Sequence, residues 1–132
     1  MLKLNRLAVT RIAATTAALE SVAAQCDENT IVLRHAPDEY LFYPALPDPN
    51  IVLAFDAHAI VLEDSSWFGN TLSAADSAEL LERFCEWEPP TERPAFAQGA
   101  VAEIPTMLYF TTDKTLFVVH APYVHDFEER IS

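Results

Sequence analysis

Glycine is scarce in this sequence, where two glycines stand against nine prolines in 132 residues. Loops that hold the phosphates of ATP or of a dinucleotide need several closely spaced glycines, because a Cβ atom would keep the backbone away from the phosphate. The sequence therefore excludes the glycine-rich nucleotide-binding motifs.

Basic residues are also few: eight lysines and arginines stand against twenty acidic residues, which gives a net charge of −12. Lys3, Arg6 and Arg11 lie in an N-terminal stretch without acids, so the other five basic residues face all twenty acids, a balance of −15. Such a surface repels phosphate backbones, which excludes nucleic acid as a partner. Solubility is the simplest explanation of the acidity, and a salty cytoplasm or a basic partner also fits it.

Long hydrophobic runs are absent, and no stretch approaches the roughly 18 apolar residues of a membrane-spanning helix. Arg11 interrupts the N-terminal apolar run, which excludes a secretory signal. A lipoprotein site at Cys26 is excluded because Gln25 stands where a small residue is needed. A mitochondrial-type presequence stays open as an alternative. The sequence predicts no membrane attachment and a cytoplasmic location.

Residues with catalytic or metal-binding chemistry show no recognisable pattern. Cys26 and Cys85 form no Cys-x-x-Cys pair and are expected to be buried thiols in a reducing compartment. No serine lies in a Gly-x-Ser-x-Gly motif, and the histidines lack the helical spacing of a zinc site. These histidines are His35, His58, His120 and His125. We therefore assign no catalytic or metal-binding residue, and we expect no cofactor on this chain alone.

Three helices are predicted from apolar spacing and capping signals. They cover residues 10–25, residues 73–85 and a short segment opened by Pro122. In the second helix, Ser73 is a capping residue, and Asp76 places an acid in the first turn. The residues that form the apolar stripes are Ile12, Leu19, Val22 and Ala23 in the first helix, Ala78, Leu81 and Cys85 in the second, and Val124, Phe127 and Ile131 in the third.

β-Branched and aromatic residues mark seven strand segments. They are residues 30–35, 39–44, 58–63, 67–73, 100–104, 106–111 and 116–120. The first two form a hairpin around Pro37 and Asp38, and the last two form a second hairpin. The pair Asp38-Glu39 has the composition of a catalytic acid and base. Because neighbouring residues on a strand point to opposite faces, we interpret the pair as a hairpin corner instead.

Strands and helices are mixed rather than strictly alternating, which predicts the α+β class. We expect a single domain with a mostly antiparallel mixed sheet and two to three helices packed on it. Residues 1–29 are expected to form a basic N-terminal segment and helix. Residues 30–132 are expected to form the α+β domain.

Three stretches in the same order resemble the gamma subunit of heterotetrameric sarcosine oxidase. APDEYLFYP is similar to its Pro-Asp-Glu-aromatic-Leu hairpin, and LSAADSAELLERFCEWEPP resembles the strand end and helix that follow. QGAVAEIPTMLYFTTDKTLFVVHAPYVHDFEERI is similar to its closing strands and helix, which typically open with Gly-Ala-Val. The resemblance covers about residues 30–131. That family is related to the folate-binding domain of the glycine-cleavage T-protein.

The resemblance implies an aminomethyltransferase-like fold and a non-catalytic subunit or accessory domain in one-carbon metabolism. Such a subunit packs against a larger flavoprotein that oxidises N-methylated amines, and the flavin and folate chemistry belongs to the larger chains. The alternative is a stand-alone small-ligand or folate-related binding domain. A third class, an acidic chaperone-like protein that docks a basic partner, explains the charge but not the three stretches.

Three aromatic residues near element ends are the candidate partner contacts. They are Trp67, Phe68 and Trp87, with the proline-rich loop 89–94 beside them. Aromatic residues are enriched at protein interfaces, so this surface would bind larger flavoprotein subunits or a second copy of the chain. The competing interpretation places them at the rim of the core.

Overall fold

The computed structural model describes residues 2–132 of the chain. Its contacts divide the chain into two compact units. We call Leu7–Ser65 the inserted unit, and we call the residues up to Arg6 together with Ser66–Ser132 the split unit. The expected division between residues 29 and 30 falls inside the inserted unit.

The described residues form nine strands and three α-helices. In chain order the strands are β1 (Asn5–Arg6), β2 (Val9–Ala13), β3 (Ile31–Ala36), β4 (Glu39–Tyr43), β5 (Ile60–Asp64), β6 (Trp67–Ser73), β7 (Ala95–Val101), β8 (Ile104–Phe110) and β9 (Lys114–His120). The helices are α1 (Thr16–Gln25), α2 (Ala74–Phe84) and α3 (Val124–Ile131), with short 3-10 helices at Pro49–Ala54 and Ala121–Tyr123.

The inserted unit is a four-stranded antiparallel sheet with the order β3-β4-β2-β5. The predicted hairpin of β3 and β4 is confirmed, and its turn lies at Pro37 and Asp38. Helix α1 begins after Thr15, whose side chain accepts a hydrogen bond from the Ala18 amide. Its buried face contributes Leu19 and Val22 to a core with residues of the sheet. The sheet contributes Ile12, Val32, Tyr40 and Phe42.

The helix predicted for residues 10–25 is wrong over its first part. Val9–Ala13 is strand β2, and α1 starts only at Thr16. The spacing of Ile12 and Leu19 is that of an apolar helical stripe, but Ile12 also fits the alternation of a strand. Val9 and Thr10 in the same stretch are β-branched, which favours a strand. Pairing with β4 and β5 on both sides decides for the strand.

The split unit is a five-stranded antiparallel sheet with the order β1-β6-β9-β8-β7. Helices α2 and α3 contribute to its core, where Phe117 of β9 and Phe127 of α3 are fully buried. The predicted cap of α2 is confirmed, because the Ser73 hydroxyl accepts from the Asp76 amide. The predicted α3 is also confirmed, with Phe127 and Ile131 buried.

Two details of the split unit differ from the sequence predictions. In α2 the buried residues are Ser77 and Leu81, whereas Ala78 is exposed. The Ser77 hydroxyl bonds the Ala74 carbonyl oxygen and lies 3.0 Å from the Thr115 hydroxyl oxygen, so the polar group is satisfied inside the unit. The buried face of α2 therefore includes a serine, and a prediction based on apolar residues alone does not assign it to that face.

The second difference is the strand predicted for residues 100–104. These residues contain the turn between β7 and β8, in which Val101 pairs with Ile104. Ala102 and Glu103 both have positive φ values, 53° and 68°. Two-residue hairpin turns of this kind need left-handed backbone and normally use Asn-Gly or Asp-Gly. Because this turn uses alanine and glutamate instead, the sequence did not predict it.

The fold class is α+β, as predicted, and the strand pairs are antiparallel. The strands form two sheets rather than the one expected. Within residues 2–132, no helix has the length and apolar character that crossing a membrane would require.

Candidate functional site

The three predicted partner-contact residues all lie in the split unit and are half-buried. The Trp67 ring lies against the His120 imidazole, with the ring centroids 4.7 Å apart. The guanidinium carbon of Arg6 lies 4.7 Å from the centroid of the Phe68 ring. Both side chains therefore make contacts within the chain as well as with solvent, and their predicted role stays a prediction.

Trp87 is fixed by two contacts with β7. Its indole Nε1 donates to the Ala100 carbonyl oxygen at 2.8 Å. The ring also covers Gly99, where an added Cβ would lie 2.6 Å from the indole Cε2 atom. The absence of a side chain at Gly99 is what allows the indole to approach the strand.

The large apolar side chains with the greatest exposure lie elsewhere. Four of them fall between Leu53 and Leu62, which we call the apolar segment. Their exposed fractions are 45% for Leu53, 46% for Phe55, 60% for Ile60 and 44% for Leu62. A fifth, Tyr123, is 40% exposed in the split unit. The sequence predicted the strand within this segment but gave no sign of its exposure.

The position of β5 explains the exposure of Ile60 and Leu62. It is an outer strand of its sheet and pairs only with β2 among the described strands. The residue opposite Ile60 on β2 is Ala13, and the residue opposite Leu62 is Arg11, so neither side chain has a large apolar neighbour across the pair. Val61 points to the other face and packs against the core of the inserted unit.

A charged cluster on the inserted unit includes one residue of the acidic pair. Arg11 lies 3.7 Å from the Glu39 carboxylate and 3.4 Å from the Asp64 carboxylate. The His35 imidazole Nε2 lies 3.1 Å from the other Glu39 oxygen. These contacts join all four strands of the sheet.

Asp38 lies outside this cluster. Its side chain is exposed, and its backbone oxygen accepts from the Ala14 amide at 3.0 Å. Glu39 is already bound to Arg11 and His35, whereas Asp38 shapes the turn. The two carboxylates do not converge on one point, which agrees with the interpretation of the pair as a hairpin corner.

Burial lowers the pKa of His35 below its usual value, and the nearby Arg11 lowers it further, whereas Glu39 and Asp38 act in the opposite direction. The side chain is 17% exposed, so desolvation is the larger effect. His35 is therefore neutral at neutral pH, so its 3.1 Å approach to the Glu39 carboxylate is not an ion pair. The cluster is suited to holding strands together.

A second polar group ties α1 to the sheet. The Arg34 guanidinium binds the Glu20 carboxylate through two hydrogen bonds, 2.8 and 3.2 Å long. The Tyr40 hydroxyl donates to the same carboxylate. The hydrogen bonds from Arg34 and Tyr40 lower the pKa of Glu20, which keeps its carboxylate ionised and bound to these two side chains.

A cleft of about 510 Å³ lies beside Trp87 within the split unit. Its size falls in the range of small-ligand pockets, roughly 300–1,000 Å³. Its apolar lining includes Leu81, Trp87 and Phe110, but half of its sixteen lining residues are polar or charged. The charged ones are Arg93 and three glutamates, Glu82, Glu86 and Glu88. The cleft therefore combines an apolar, partly aromatic wall with charged groups that are mostly acidic.

Cys85 also lines this cleft, but it is not suited to nucleophilic chemistry. Burial raises the pKa of the thiol, which donates to the Trp87 carbonyl oxygen at 3.2 Å. The thiolate is the reactive form, so a thiol that stays protonated at neutral pH is a poor nucleophile. Cys26 has its pKa raised by burial in the same way. Both cysteines are free and half-buried rather than fully buried.

Within residues 2–132, no group of three or more histidine, cysteine and acidic side chains is arranged to hold a metal ion. The geometry offers an exposed apolar segment on one unit and a cleft on the other. Comparison with models of protein families and with curated proteins finds no match for this chain.

Proposed function

We propose that this chain is a non-catalytic subunit that docks on a larger protein through the apolar segment Leu53–Leu62. The observation that carries the proposal is the concentration of four exposed large apolar side chains in ten consecutive residues. Following the resemblance to the sarcosine oxidase gamma subunit, the partner is a larger flavoprotein that oxidises N-methylated amines. In that assembly the flavin and folate chemistry belongs to the partner.

The energetics of burial support a docking role. Burying a leucine, isoleucine or phenylalanine side chain is worth roughly 1.5–3 kcal/mol relative to full exposure. The four side chains of the apolar segment are each about half exposed, so covering them contributes on the order of 3–6 kcal/mol. Because a few residues carry most of the affinity in typical interfaces, a small set of anchors is enough for docking.

The state of the cysteines supports a cytoplasmic location for this complex. Cys26 and Cys85 are both free thiols, and thiols persist in reducing compartments. The proposal places the chain in the cytoplasm beside its partner.

The cleft beside Trp87 favours a second candidate, a stand-alone domain that binds a small ligand such as a folate. Its volume of about 510 Å³ and its aromatic wall suit a flat, partly apolar molecule. In this case the purified chain alone would be stabilised against heat by the ligand.

Co-purification from the native source tests the first proposal. An affinity-tagged chain should bring down a larger protein with flavin absorbance and with oxidase activity towards an N-methylated amine such as sarcosine. Phe55→Ser should lose the partner, because it removes an exposed anchor at little cost to folding. Tyr123→Ser is the matched control, since Tyr123 is similarly exposed but lies in the other unit.

Recovery of the chain without any flavoprotein would contradict the proposal. Thermal stabilisation of the isolated chain by a folate, lost in Trp87→Leu, would favour the second candidate. The two outcomes are independent, because Phe55 and Trp87 lie in different units.

A further inference from the structure

The outer edge of β5 has only part of the protection that exposed sheet edges usually have. Such edges are kept from pairing by short strands, charged side chains (especially lysine), proline or a bulge, and of these β5 has its short length and two acids, Glu63 and Asp64. Ile60–Asp64 contains neither lysine nor proline, and its five residues pair with β2 in unbroken register. The backbone groups of alternate β5 residues therefore point away from β2 at regular spacing.

The side chains of β5 fit an incoming strand. Ile60 and Leu62 point to the same face and are 60% and 44% exposed. An added strand would bring its own side chains to about 4.5–5.5 Å from theirs, the ordinary cross-strand distance. Apolar residues at alternate positions of the added strand would cover both side chains.

The charge on this edge indicates the kind of strand. β5 carries two acids, Glu63 and Asp64, and no basic residue. Asp64 lies 3.4 Å from Arg11 of β2, which offsets its charge, whereas Glu63 accepts a hydrogen bond from the neutral Thr10 hydroxyl at 3.3 Å. Glu63 is exposed on β5 itself, and it points to the face opposite Ile60 and Leu62. A lysine or arginine across from Glu63 would therefore complement it.

The same charge argues against a second copy of the chain as the occupant. Each copy has a net charge of −12, and pairing two β5 edges would bring two acidic edges together. Like charges near each other across a pair of strands are destabilising. The edge is complementary to a basic segment and not to itself.

We infer that β5 takes up an extended basic segment of the partner as an added strand, with apolar residues against Ile60 and Leu62 and a basic residue against Glu63. This inference rests on the proposed function, because it specifies how the subunit docks. Main-chain hydrogen bonds would supply part of the affinity, and the alternating side chains would supply the specificity.

A short fluorescent peptide of alternating valine and lysine is a direct probe of this edge. Fluorescence anisotropy should show that it binds the full chain, whereas a peptide of alternating valine and glutamate should not bind. A valine–lysine peptide of equal charge with a central proline should bind about tenfold or more weakly, because proline breaks strand pairing. Hydrogen exchange should show new protection at the alternate amides of Ile60–Asp64 that point away from β2.

Substitutions at the edge complete the test. Leu62→Lys and Ile60→Lys should each weaken binding of the valine–lysine peptide about tenfold or more, and Tyr123→Lys should leave it unchanged. Equal binding of the straight and proline-containing peptides, or protection confined to other strands, would overturn the inference. In that case the proposed function would still stand if Phe55→Ser abolished co-purification of the flavoprotein.

Discussion

At the scale of single residues, His35 is subject to two opposed effects. The carboxylate of Glu39 at 3.1 Å favours its charged form, whereas burial and Arg11 favour the neutral form. The net result is a pKa below the usual value of 6.5. His35 therefore binds a proton more readily in the unfolded chain than in the folded one.

We predict that this histidine makes the protein less stable in mild acid. As the pH falls through 6.5 towards the lower folded-state pKa, the unfolded state takes up the proton first, so the free energy of unfolding decreases. His35→Asn should flatten this dependence. Urea unfolding at a series of pH values from neutral to mildly acidic measures it.

The control for this prediction is His125→Asn. Its side chain is 87% exposed, so this substitution removes a histidine without removing a buried one. An equal effect of both substitutions would show that burial of His35 is not the cause.

Residue-level signals in the sequence were reliable where the chemistry is local. The Ser73 cap and the turn at Pro37 and Asp38 were predicted correctly, because each depends on residues within a few positions. The turn at Ala102 and Glu103 was missed because neither residue favours its left-handed backbone, which costs roughly 1–2 kcal/mol per residue. Contacts distant in sequence compensate, including a 2.8 Å hydrogen bond from the Ala102 amide to the Phe84 carbonyl oxygen.

At the scale of elements, Trp87 links the segment after α2 to strand β7. The indole lies over Gly99 and donates to the neighbouring Ala100 carbonyl oxygen. The approach is so close that any side chain at position 99 would have to displace the ring.

We predict that Gly99→Ala lowers the free energy of unfolding by about 1–3 kcal/mol, the usual cost of overpacking. The added Cβ would lie 2.6–2.9 Å from three atoms of the indole. Combining it with Trp87→Leu should remove most of this cost, because the leucine lacks those atoms. A double-mutant cycle in urea unfolding measures the coupling between the two positions.

Simple additivity of Gly99→Ala and Trp87→Leu would contradict this account. It would mean that the two residues do not contact each other in solution. Trp87→Leu alone serves as the reference, since it also removes the hydrogen bond to Ala100.

Elements whose signals lie within one segment were predicted well. Helices α2 and α3 and the two hairpins β3–β4 and β8–β9 all follow from local spacing and turns. Strand β2 was misassigned, because its alanine-rich context favours a helix and only its pairing with β4 and β5 decides otherwise. The exposure of Ile60 and Leu62 was missed for a related reason, since it depends on where β5 lies in its sheet.

At the scale of the whole molecule, net charge is the dominant feature. The chain has a net charge of −12, and from His35 to Glu82 there is no lysine or arginine. Ion pairs such as Arg34–Glu20 are local and largely exposed. Repulsion among the remaining acids therefore opposes compaction.

We predict that moderate salt stabilises the folded chain. Screening becomes effective at a distance of about 10 Å in 0.1 M salt, so repulsion between separate surface acids weakens while short ion pairs persist. The thermal midpoint should therefore rise with potassium chloride. Sorbitol at equal osmolality is the control, since it is uncharged. A midpoint that falls with salt would mean that ion pairs outweigh the repulsion.

The order of the strands within each sheet could not be predicted from the sequence. The pairing of β1 with β6 and of β6 with β9 joins segments far apart in the chain, and no local pattern encodes which strands become neighbours. The class could be predicted because it depends on the kinds of elements present, whereas the arrangement into two sheets depends on their partners.

The path of the chain through the split unit has a consequence for its synthesis. Strand β1 pairs with β6, and the Leu4 amide donates to Glu128 of α3 at 2.8 Å, so this segment depends on partners made much later. The inserted unit, Leu7–Ser65, has all its strands as soon as Ser65 leaves the ribosome. Domains generally fold as they emerge. A nascent chain stalled before α3 would therefore carry one complete unit, preceded by a strand whose sheet is still unfinished.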